Sequence, residues 1–330
     1  MAKKTKNTID RASDTRERLK GLVIKTAGSD YDVLADGRTG PLVCKVKGNF
    51  RLKGIRTTNP VAVGDRVEVL ENADGSAFIS AVEPRSNYII RRASNLSKEA
   101  SILGANLDAA MLVVSLKHPT TSTTFIDRFL ATAEAYRVPA ILVINKIDLL
   151  DTTEDRELMA AVAYLYRTIG YTVLEVSARQ GEGMEALRNA LRDKTTLVSG
   201  NSGVGKSTLI NDLIPGLDLR TAAISDVHDQ GMHTTTYSEM FFLPFGGRII
   251  DTPGVRGFGT IDMSPEEVSH YFPDIFALAP HCRFSNCTHT HEPGCAVLQA
   301  LEEQRIAPSR YASYLSILQD SDEGKYRAAY

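Results

Sequence analysis

The 330-residue sequence lacks the apolar segments of a membrane-spanning helix and of a secretory signal peptide. No run approaches the roughly eighteen apolar residues that indicate a membrane-spanning helix. The amino terminus is charged and lacks the apolar core of a secretory signal peptide. We therefore expect a cytoplasmic protein with no membrane partner.

The sequence also has little net charge and few cysteines. A formal net charge of −2 argues against a uniformly basic nucleic-acid binder. There are four cysteines, and three of them cluster between positions 282 and 295. An odd cluster of this kind in a reducing compartment favours metal binding over a disulfide. The fourth, Cys44, stands alone and is expected to be a buried core residue.

The amino-terminal part of the chain has the pattern of a small β-domain behind a tail. Residues 1–18 are charged and are expected to form a flexible tail. Between 19 and 92, five short β-rich runs alternate with turn signals such as Asp36-Gly37. This pattern fits a closed barrel, with the OB-fold as the leading candidate. A basic stretch is expected to contact RNA, with a solvated charged hairpin as the alternative. Its predicted RNA-binding residues are Lys45, Lys47, Arg51, Lys53 and Arg56.

The pattern then changes to apolar strands that alternate with helices, which predicts a doubly wound α/β domain. The strands are predicted at 107–116, 139–146, 171–178, 195–200, 237–243 and 246–251. The helices are predicted at 125–137, at 185–192 and from Lys206 onward. After about position 265 the chain reads as helical, with helices at 297–305 and 309–318.

A phosphate-binding loop stands between a predicted strand and a predicted helix. The run GNSGVGKS at 200–207 matches the pattern G-x-x-x-x-G-K-[ST]. Backbone N–H groups of such a loop turn toward phosphate oxygens, and the helix dipole assists them. Lys206 is expected to bridge the β- and γ-phosphates, and Ser207 to ligate Mg²⁺. The predicted contacts are Gly200, Asn201, Ser202, Gly203, Val204, Gly205, Lys206, Ser207 and Thr208.

Two further motifs predict a magnesium ligand and a guanine reader. Asp251 ends a predicted strand within D-T-P-G, where it is expected to hold Mg²⁺ and where the Gly254 N–H would sense the γ-phosphate. Asn145, Lys146 and Asp148 follow an apolar strand as N-K-I-D. The Asp148 carboxylate would accept from N1–H and the N2 amine of guanine, and adenine has neither donor there. A helix N-cap is the alternative role for Asp148.

The order of these motifs is reversed relative to ordinary P-loop GTPases. N-K-I-D at 145–148 precedes the phosphate loop at 200–207, whereas the phosphate loop usually comes first. Ser177 and Ala178, which follow the next strand, take the position of the loop that reads guanine O6. A closed domain tolerates such a rearrangement if its natural ends lie close together. The sequence therefore predicts a circularly permuted P-loop GTPase domain.

The polar stretch 226–236 occupies the place of a switch loop. One of its threonines should complete the Mg²⁺ shell. Thr235 is favoured, and Thr234 and Thr236 remain open.

The usual water-positioning glutamine has no counterpart here, because Val255 stands after D-T-P-G. An aliphatic side chain cannot orient water. His233 is the predicted catalytic residue, since a neutral imidazole can accept a proton from the attacking water. His228 is the weaker candidate, and a purely packing role for His233 is the alternative.

The cysteine cluster contains soft ligands at metal-binding spacing. The pattern C-x4-C-x-H-x5-C supplies three thiolates and an imidazole, which favour a tetrahedral structural Zn²⁺. His281 and His291 compete for the fourth position. The predicted ligands are Cys282, Cys287, His289 and Cys295.

Taken together, the β-domain, GNSGVGKS after NKID, DTPGVRGF at 251–258 and the cysteine pattern resemble one family closely. The sequence is similar to the RsgA family, also called YjeQ, over roughly residues 19–320. The resemblance implies an OB-fold, a permuted GTPase domain and a zinc module. It also implies GTP hydrolysis stimulated by the small ribosomal subunit during its late maturation. It supports His233 as the catalytic residue and His289 as the zinc ligand.

We therefore expect a monomeric GTPase that binds GTP, GDP, the small ribosomal subunit and its rRNA, with Zn²⁺ and Mg²⁺ as cofactors. One alternative is a guanine-nucleotide-gated RNA-binding scaffold with little hydrolysis, which Val255 permits. Another is a permuted GTPase that acts on a different RNA or on a protein. The predicted units are the tail 1–18, the OB-fold 19–92, the permuted GTPase domain 98–262 and the helical zinc module 263–330.

Overall fold

The computed structural model describes residues 17–46, 60–92, 100–219, 238–251 and 263–323. The strands are β1 Glu17–Ala27, β2 Asp30–Ala35, β3 Leu42–Val46, β4 Arg66–Glu71, β5 Ala77–Val82, β6 Tyr88–Arg92, β7 Ala100–Ala105, β8 Ala109–Val114, β9 Ala140–Ile144, β10 Thr172–Glu175, β11 Thr195–Ser199, β12 Ser238–Phe242 and β13 Arg248–Asp251. The α-helices are α1 Thr123–Ala135, α2 Thr153–Ile169, α3 Met184–Leu191, α4 Lys206–Leu213, α5 Pro265–Val268, α6 Pro273–Phe276, α7 Ala296–Glu302 and α8 Pro308–Glu323.

Strands β1 to β5 form the predicted barrel. Their order is β1-β2-β3-β5-β4, and β4 pairs back onto β1 to close it. The β3–β5 pair is parallel and the remaining pairs are antiparallel, as in a five-stranded Greek-key barrel. In β2, Tyr31, Val33 and Ala35 are buried and alternate with half-buried residues, which is the period of a strand with one face in a core. Cys44 lies in the same core and is fully buried, as predicted.

Strands β8 to β13, with helices α1 to α4, form the predicted α/β domain. Its parallel sheet has the order β10-β9-β8-β11-β13, and β12 is added antiparallel at the edge. Every residue of β8 is buried, because helices cover both faces of a parallel sheet. No helix in the described ranges is long and apolar enough to cross a membrane.

Helix α2 and the hairpin of β6 and β7 were not predicted. Helix α2 begins with a capping box, in which the Thr152 hydroxyl and the Asp155 carboxylate accept from each other's backbone N–H groups. Strands β6 and β7 form an antiparallel hairpin that lies across the predicted boundary between 92 and 98. Ile89 and Leu103 of this hairpin are buried in the same core as the parallel sheet.

The barrel and the α/β domain share a continuous sheet. Near its carboxyl end, β1 pairs antiparallel with β12, with Lys25 opposite Glu239 and Thr26 opposite Ser238. The Lys25 ammonium also forms an ion pair with the Glu239 carboxylate at 3.1 Å. The described strands outside the hairpin therefore form a sheet of eleven strands.

The C-terminal module, residues 263–323, packs on helix α1. Its core includes Phe272, Ile275 and Tyr314, together with Ala131 of α1. A fully buried ion pair joins the two parts, because the Arg310 guanidinium of α8 donates to Asp127 Oδ1 of α1 at 2.7 Å. Burial disfavours the charge on Arg310, but the carboxylates of Asp127 and Asp274 outweigh it and raise the pKa of Arg310.

Candidate functional site

The phosphate loop has the predicted strand–loop–helix context. It leaves β11 at Gly200 and enters α4 at Lys206. A Cβ on Gly200 would lie 2.2 Å from the Val113 carbonyl oxygen, and one on Gly205 would lie 2.4 Å from Asn145 Nδ2. Both glycines have positive φ, so these positions exclude a side chain by space and by backbone conformation. The predicted Ser207 and Thr208 are the second and third residues of α4.

The Lys206 ammonium lies over this loop. It donates to the carbonyl oxygens of Gly200 at 2.6 Å and of Asn201 at 2.7 Å. Burial lowers the pKa of Lys206, and the negative charge of Asp251 opposes that shift. Asp251 ends β13, the strand beside β11, so both side chains stand at the carboxyl edge of the sheet. This arrangement can place an ammonium group and a carboxylate beside the same phosphates.

Asn145 brings the three predicted nucleotide loops together. Its side-chain Nδ2 donates to the Val204 carbonyl oxygen of the phosphate loop at 2.9 Å. Its Oδ1 accepts from the Ala178 backbone N–H at 3.2 Å. Asn145 is 3% exposed, so these bonds are shielded from water. The side chain therefore fixes the spacing between the base-reading loops and the phosphate loop.

The Asp148 carboxylate is oriented by its neighbour. Ser177 is fully buried, and its hydroxyl donates to Asp148 Oδ1 at 2.6 Å. Asp148 lies in a 3₁₀ turn, Ile147–Leu149, directly after β9. One carboxylate oxygen is thereby anchored, and Asp148 Oδ2 can accept from a base. Asp148 therefore presents a held hydrogen-bond acceptor close to the end of β9.

A loop that the sequence analysis did not single out also borders this site. The Lys146 ammonium donates to the His118 carbonyl oxygen in the loop between β8 and α1. A Cβ on Gly203 would lie 3.4 Å from Pro119 Cδ in the same loop. The Lys117 ammonium binds carboxylates of Asp151 at 2.8 Å and Asp155 at 2.9 Å. The signal in the sequence was the position of this loop after the predicted strand 107–116, because β8 is parallel to β9 and both strands end at the same edge of the sheet.

Several predicted site residues lie outside the described residues. They are Gly254, His233, Thr235, Lys47, Arg51, Lys53 and Arg56. The described RNA candidate, Lys45, is exposed on β3, next to the buried Cys44.

The four predicted zinc ligands converge in the C-terminal module. One ligand atom from each of Cys282, Cys287, His289 and Cys295 lies within 4.8 Å of all the others. The Sγ atoms of Cys282 and Cys295 are 3.9 Å apart, and each is 3.5 Å from His289 Nδ1. A tetrahedral ion with metal–sulfur distances of about 2.3 Å requires sulfur–sulfur separations of about 3.8 Å. The cluster is therefore consistent with a zinc site.

Surrounding groups hold the ligand loop in place. The Glu292 carboxylate accepts from the backbone N–H groups of Thr290 at 3.0 Å and His291 at 3.1 Å. The Tyr311 hydroxyl of α8 donates to the His289 carbonyl oxygen at 2.7 Å. Of the two competing histidines, His291 instead contacts the Thr290 hydroxyl through Nδ1 at 2.8 Å. These bonds fix the orientation of His289, as outer groups do at metal sites.

Comparison with family models gives two adjacent matches. Residues 20–79 match the model described as the RsgA N-terminal domain, and residues 82–261 match that of the RsgA GTPase. A curated relative in Bacteroides fragilis, "Small ribosomal subunit biogenesis GTPase RsgA", is 61% identical over 94% of this chain and 100% of its own length. A second relative, RsgA 2 of Bacteroides thetaiotaomicron, is 59% identical over the same shares.

Solved structures agree with this assignment. The crystal structure of YjeQ from Thermotoga maritima is 35% identical with a TM-score of 0.74, and the match covers 92% of this chain and 99% of that one. The crystal structure of YloQ, described as a circularly permuted GTPase, is 28% identical with a TM-score of 0.70 and covers 97% of this chain and 100% of its own. The barrel, the permuted α/β domain and the Cys/His module confirm the predicted fold class, and the chain belongs to the RsgA GTPase family.

Proposed function

We propose that this protein hydrolyses GTP to GDP and phosphate during late maturation of the small ribosomal subunit, and that the subunit stimulates this turnover. The relatives at about 60% identity carry the name of a small ribosomal subunit biogenesis GTPase. The observation that carries the proposal is the double contact of Asn145, which joins the base-reading loops to the phosphate loop. That contact supports a single nucleotide site, because it brings together motifs that are in reversed order along the chain.

Each nucleotide-binding residue has a proposed role. Asp148, held by Ser177, accepts from the guanine edge, and Ala178 contributes its loop. The backbone of 200–205 and the Lys206 ammonium bind the phosphates. Ser207 and Asp251, with Thr235 and Gly254 from outside the described residues, complete the magnesium and γ-phosphate contacts. When bound, Mg²⁺ would neutralise charge that develops on the phosphate oxygens.

His233 is the proposed catalytic residue. Its neutral imidazole would accept a proton from the attacking water, a role that Val255 cannot take. The remaining proposals concern the outer parts of the chain. One structural Zn²⁺ is bound by the Cys/His cluster, and rRNA is contacted through Lys45, Lys47, Arg51, Lys53 and Arg56. The protein acts as a cytoplasmic monomer. Its units are those predicted above, except that the barrel begins with β1 at Glu17 and the β6–β7 hairpin belongs with the GTPase domain, whose core contains Ile89.

GTP turnover by the full-length protein, alone and with purified small subunits, tests the proposal. We expect a large increase with small subunits, little increase with large subunits, and no turnover of ATP. Single-turnover assays of His233→Ala separate catalysis from binding: the variant should retain GTP affinity and lose the subunit-stimulated rate. Turnover that is indifferent to small subunits would refute the proposed partner.

A further inference from the structure

A polar cavity lies at the amino edge of the parallel sheet, opposite the carboxyl edge from which the nucleotide loops leave. This half-open cavity of about 390 Å³ forms where the barrel meets the α/β domain. Its lining includes residues at the amino ends of three parallel strands: Asp108 before β8, Thr195 of β11 and Arg248 of β13. The nucleotide loops leave the carboxyl ends of the same sheet. A ligand in this cavity would therefore not compete with GTP.

The walls of the cavity are held by their own hydrogen bonds. The Asn106 side-chain amide donates to the Gly64 carbonyl oxygen at 3.0 Å, and its Oδ1 accepts from the Ser86 N–H at 2.9 Å. The Asp108 carboxylate accepts from the Thr195 N–H at 2.8 Å. Gly64 has φ of +94°, and a Cβ there would lie 2.2 Å from the Ala105 carbonyl oxygen. The concavity is therefore preformed.

Two arginines line this cavity without a side-chain partner in the part of the chain that the structure describes. Arg66 on β4 and Arg248 on β13 both line it, and neither forms an ion pair or a side-chain hydrogen bond with any other described residue. By contrast, Arg85, which stands between the lining residues Pro84 and Ser86, binds Asp65 at 2.7 Å. Two arginines against the one carboxylate of Asp108 leave the cavity with excess positive charge.

We propose that this cavity binds a phosphate group, carried either by an RNA backbone or by a free nucleotide. The planar guanidinium fork of arginine matches phosphate geometry, and Arg66 and Arg248 supply two such forks on the walls of one cavity. The volume lies within the range of about 300–1,000 Å³ that small-ligand pockets occupy. For the RNA source, the inference rests on the proposed function and extends the RNA contact from the basic stretch of the barrel to its junction with the α/β domain.

Direct binding to full-length protein tests the site. The probes are a fluorescently labelled single-stranded RNA, followed by anisotropy, and adenosine 5′-monophosphate, followed by calorimetry. The variants are Arg66→Ala, Arg248→Ala and the double change, with Arg137→Ala as an exposed arginine outside the cavity. If RNA is the source, each cavity variant should bind it several-fold more weakly, and the double variant more weakly still. Each lost phosphate contact should reduce the slope of log affinity against log salt by about 0.7.

The outcomes separate the two phosphate sources. Weaker RNA binding by the double variant, with no binding of the monophosphate to wild type, assigns the RNA backbone. Monophosphate binding that is lost in the double variant assigns a free nucleotide. Double-variant affinities equal to wild type for both probes would overturn the proposal. GTP turnover without subunits reports folding and should be unchanged, because neither arginine borders the nucleotide loops.

A charge-conserving double variant provides a second test. Arg66→Lys with Arg248→Lys keeps the charge but loses the fork, so the salt slope should be retained while affinity falls. Failure of the proposed function has a different signature, since wild-type turnover would then ignore small subunits whatever the RNA affinities are.

Discussion

The Asn145 side chain donates to the carbonyl oxygen of Val204, 59 residues later in the chain, at 2.9 Å and thereby joins two motifs. Gly205 follows Val204 directly, and its α-carbon passes so close to the Asn145 amide that a Cβ would lie 2.4 Å away. The guanine motif and the phosphate loop are thus in contact through a position that admits only glycine.

Gly205→Ala should lower GTP affinity by at least about tenfold, because the new methyl group displaces Asn145 and the phosphate loop together. The matched control is Gly216→Ala, which has a similar φ of +88° but nothing within 4 Å of the added atom. Both variants carry the left-handed backbone cost of about 1–2 kcal/mol. Titration of a fluorescent GTP analogue measures the difference, and equal affinities for the two variants would contradict the steric argument.

Asp148→Asn should exchange the base preference of the site. An amide presents a donor where the carboxylate accepts, which suits xanthine, with its oxygen at C2, better than guanine. We expect GTP affinity to fall by about 10²-fold or more, with xanthosine triphosphate bound more tightly than GTP. Asp36→Asn is the control, because that carboxylate is exposed in the turn after β2 of the barrel, away from the nucleotide loops. Competition binding with GTP and xanthosine triphosphate measures the ratio of the two affinities.

His289→Ala should abolish stoichiometric zinc binding, whereas His281→Ala and His291→Ala should retain it. Only the first change removes an atom that lies 3.5 Å from two thiolates. Elemental analysis of the purified variants gives the metal content. Because structural zinc contributes to folding, chelator treatment of the wild-type protein should lower its melting temperature. Full zinc content in His289→Ala would instead show that another residue is the fourth ligand.

Arg310→Met should destabilise the C-terminal module strongly, because it leaves the Asp127 carboxylate buried without its cation. Breaking a buried pair in this way costs about 3–5 kcal/mol. Arg305→Met is the control, since its pair with Glu303 is half exposed and contributes about 0–1 kcal/mol. Urea unfolding followed by circular dichroism compares the two. Adding Asp127→Asn to Arg310→Met should recover part of the loss.

The sequence predicted the local elements of the nucleotide site better than its contacts. The strand–loop–helix at Gly200–Lys206 was predictable because glycine spacing and the flanking apolar run act locally. The predicted helix 125–137 begins instead at Thr123, since the Ser122 side chain caps it by accepting from the Phe125 N–H at 3.3 Å. A serine before a helix is a local capping signal, so this start could have been predicted from the sequence.

The missed features fall into two kinds. The T-x-x-D pattern from Thr152 to Asp155 is a local signal for the start of α2, although the helix was not predicted from it. The bonds from Asn145 to Val204, from Lys146 to His118 and from Arg310 to Asp127 depend on tertiary packing between distant segments. No pattern within either segment specifies such partners, because the residue types involved have many possible acceptors.

The pairing of β1 with β12 has a thermodynamic consequence. Since the barrel shares backbone hydrogen bonds with the sheet that carries the nucleotide loops, opening the seam at Thr26 and Ser238 exposes both sides to solvent. A ligand that binds the native sheet stabilises every segment that unfolds with it. GTP should therefore slow amide hydrogen exchange in β1, although β1 lies in a different domain from the nucleotide loops.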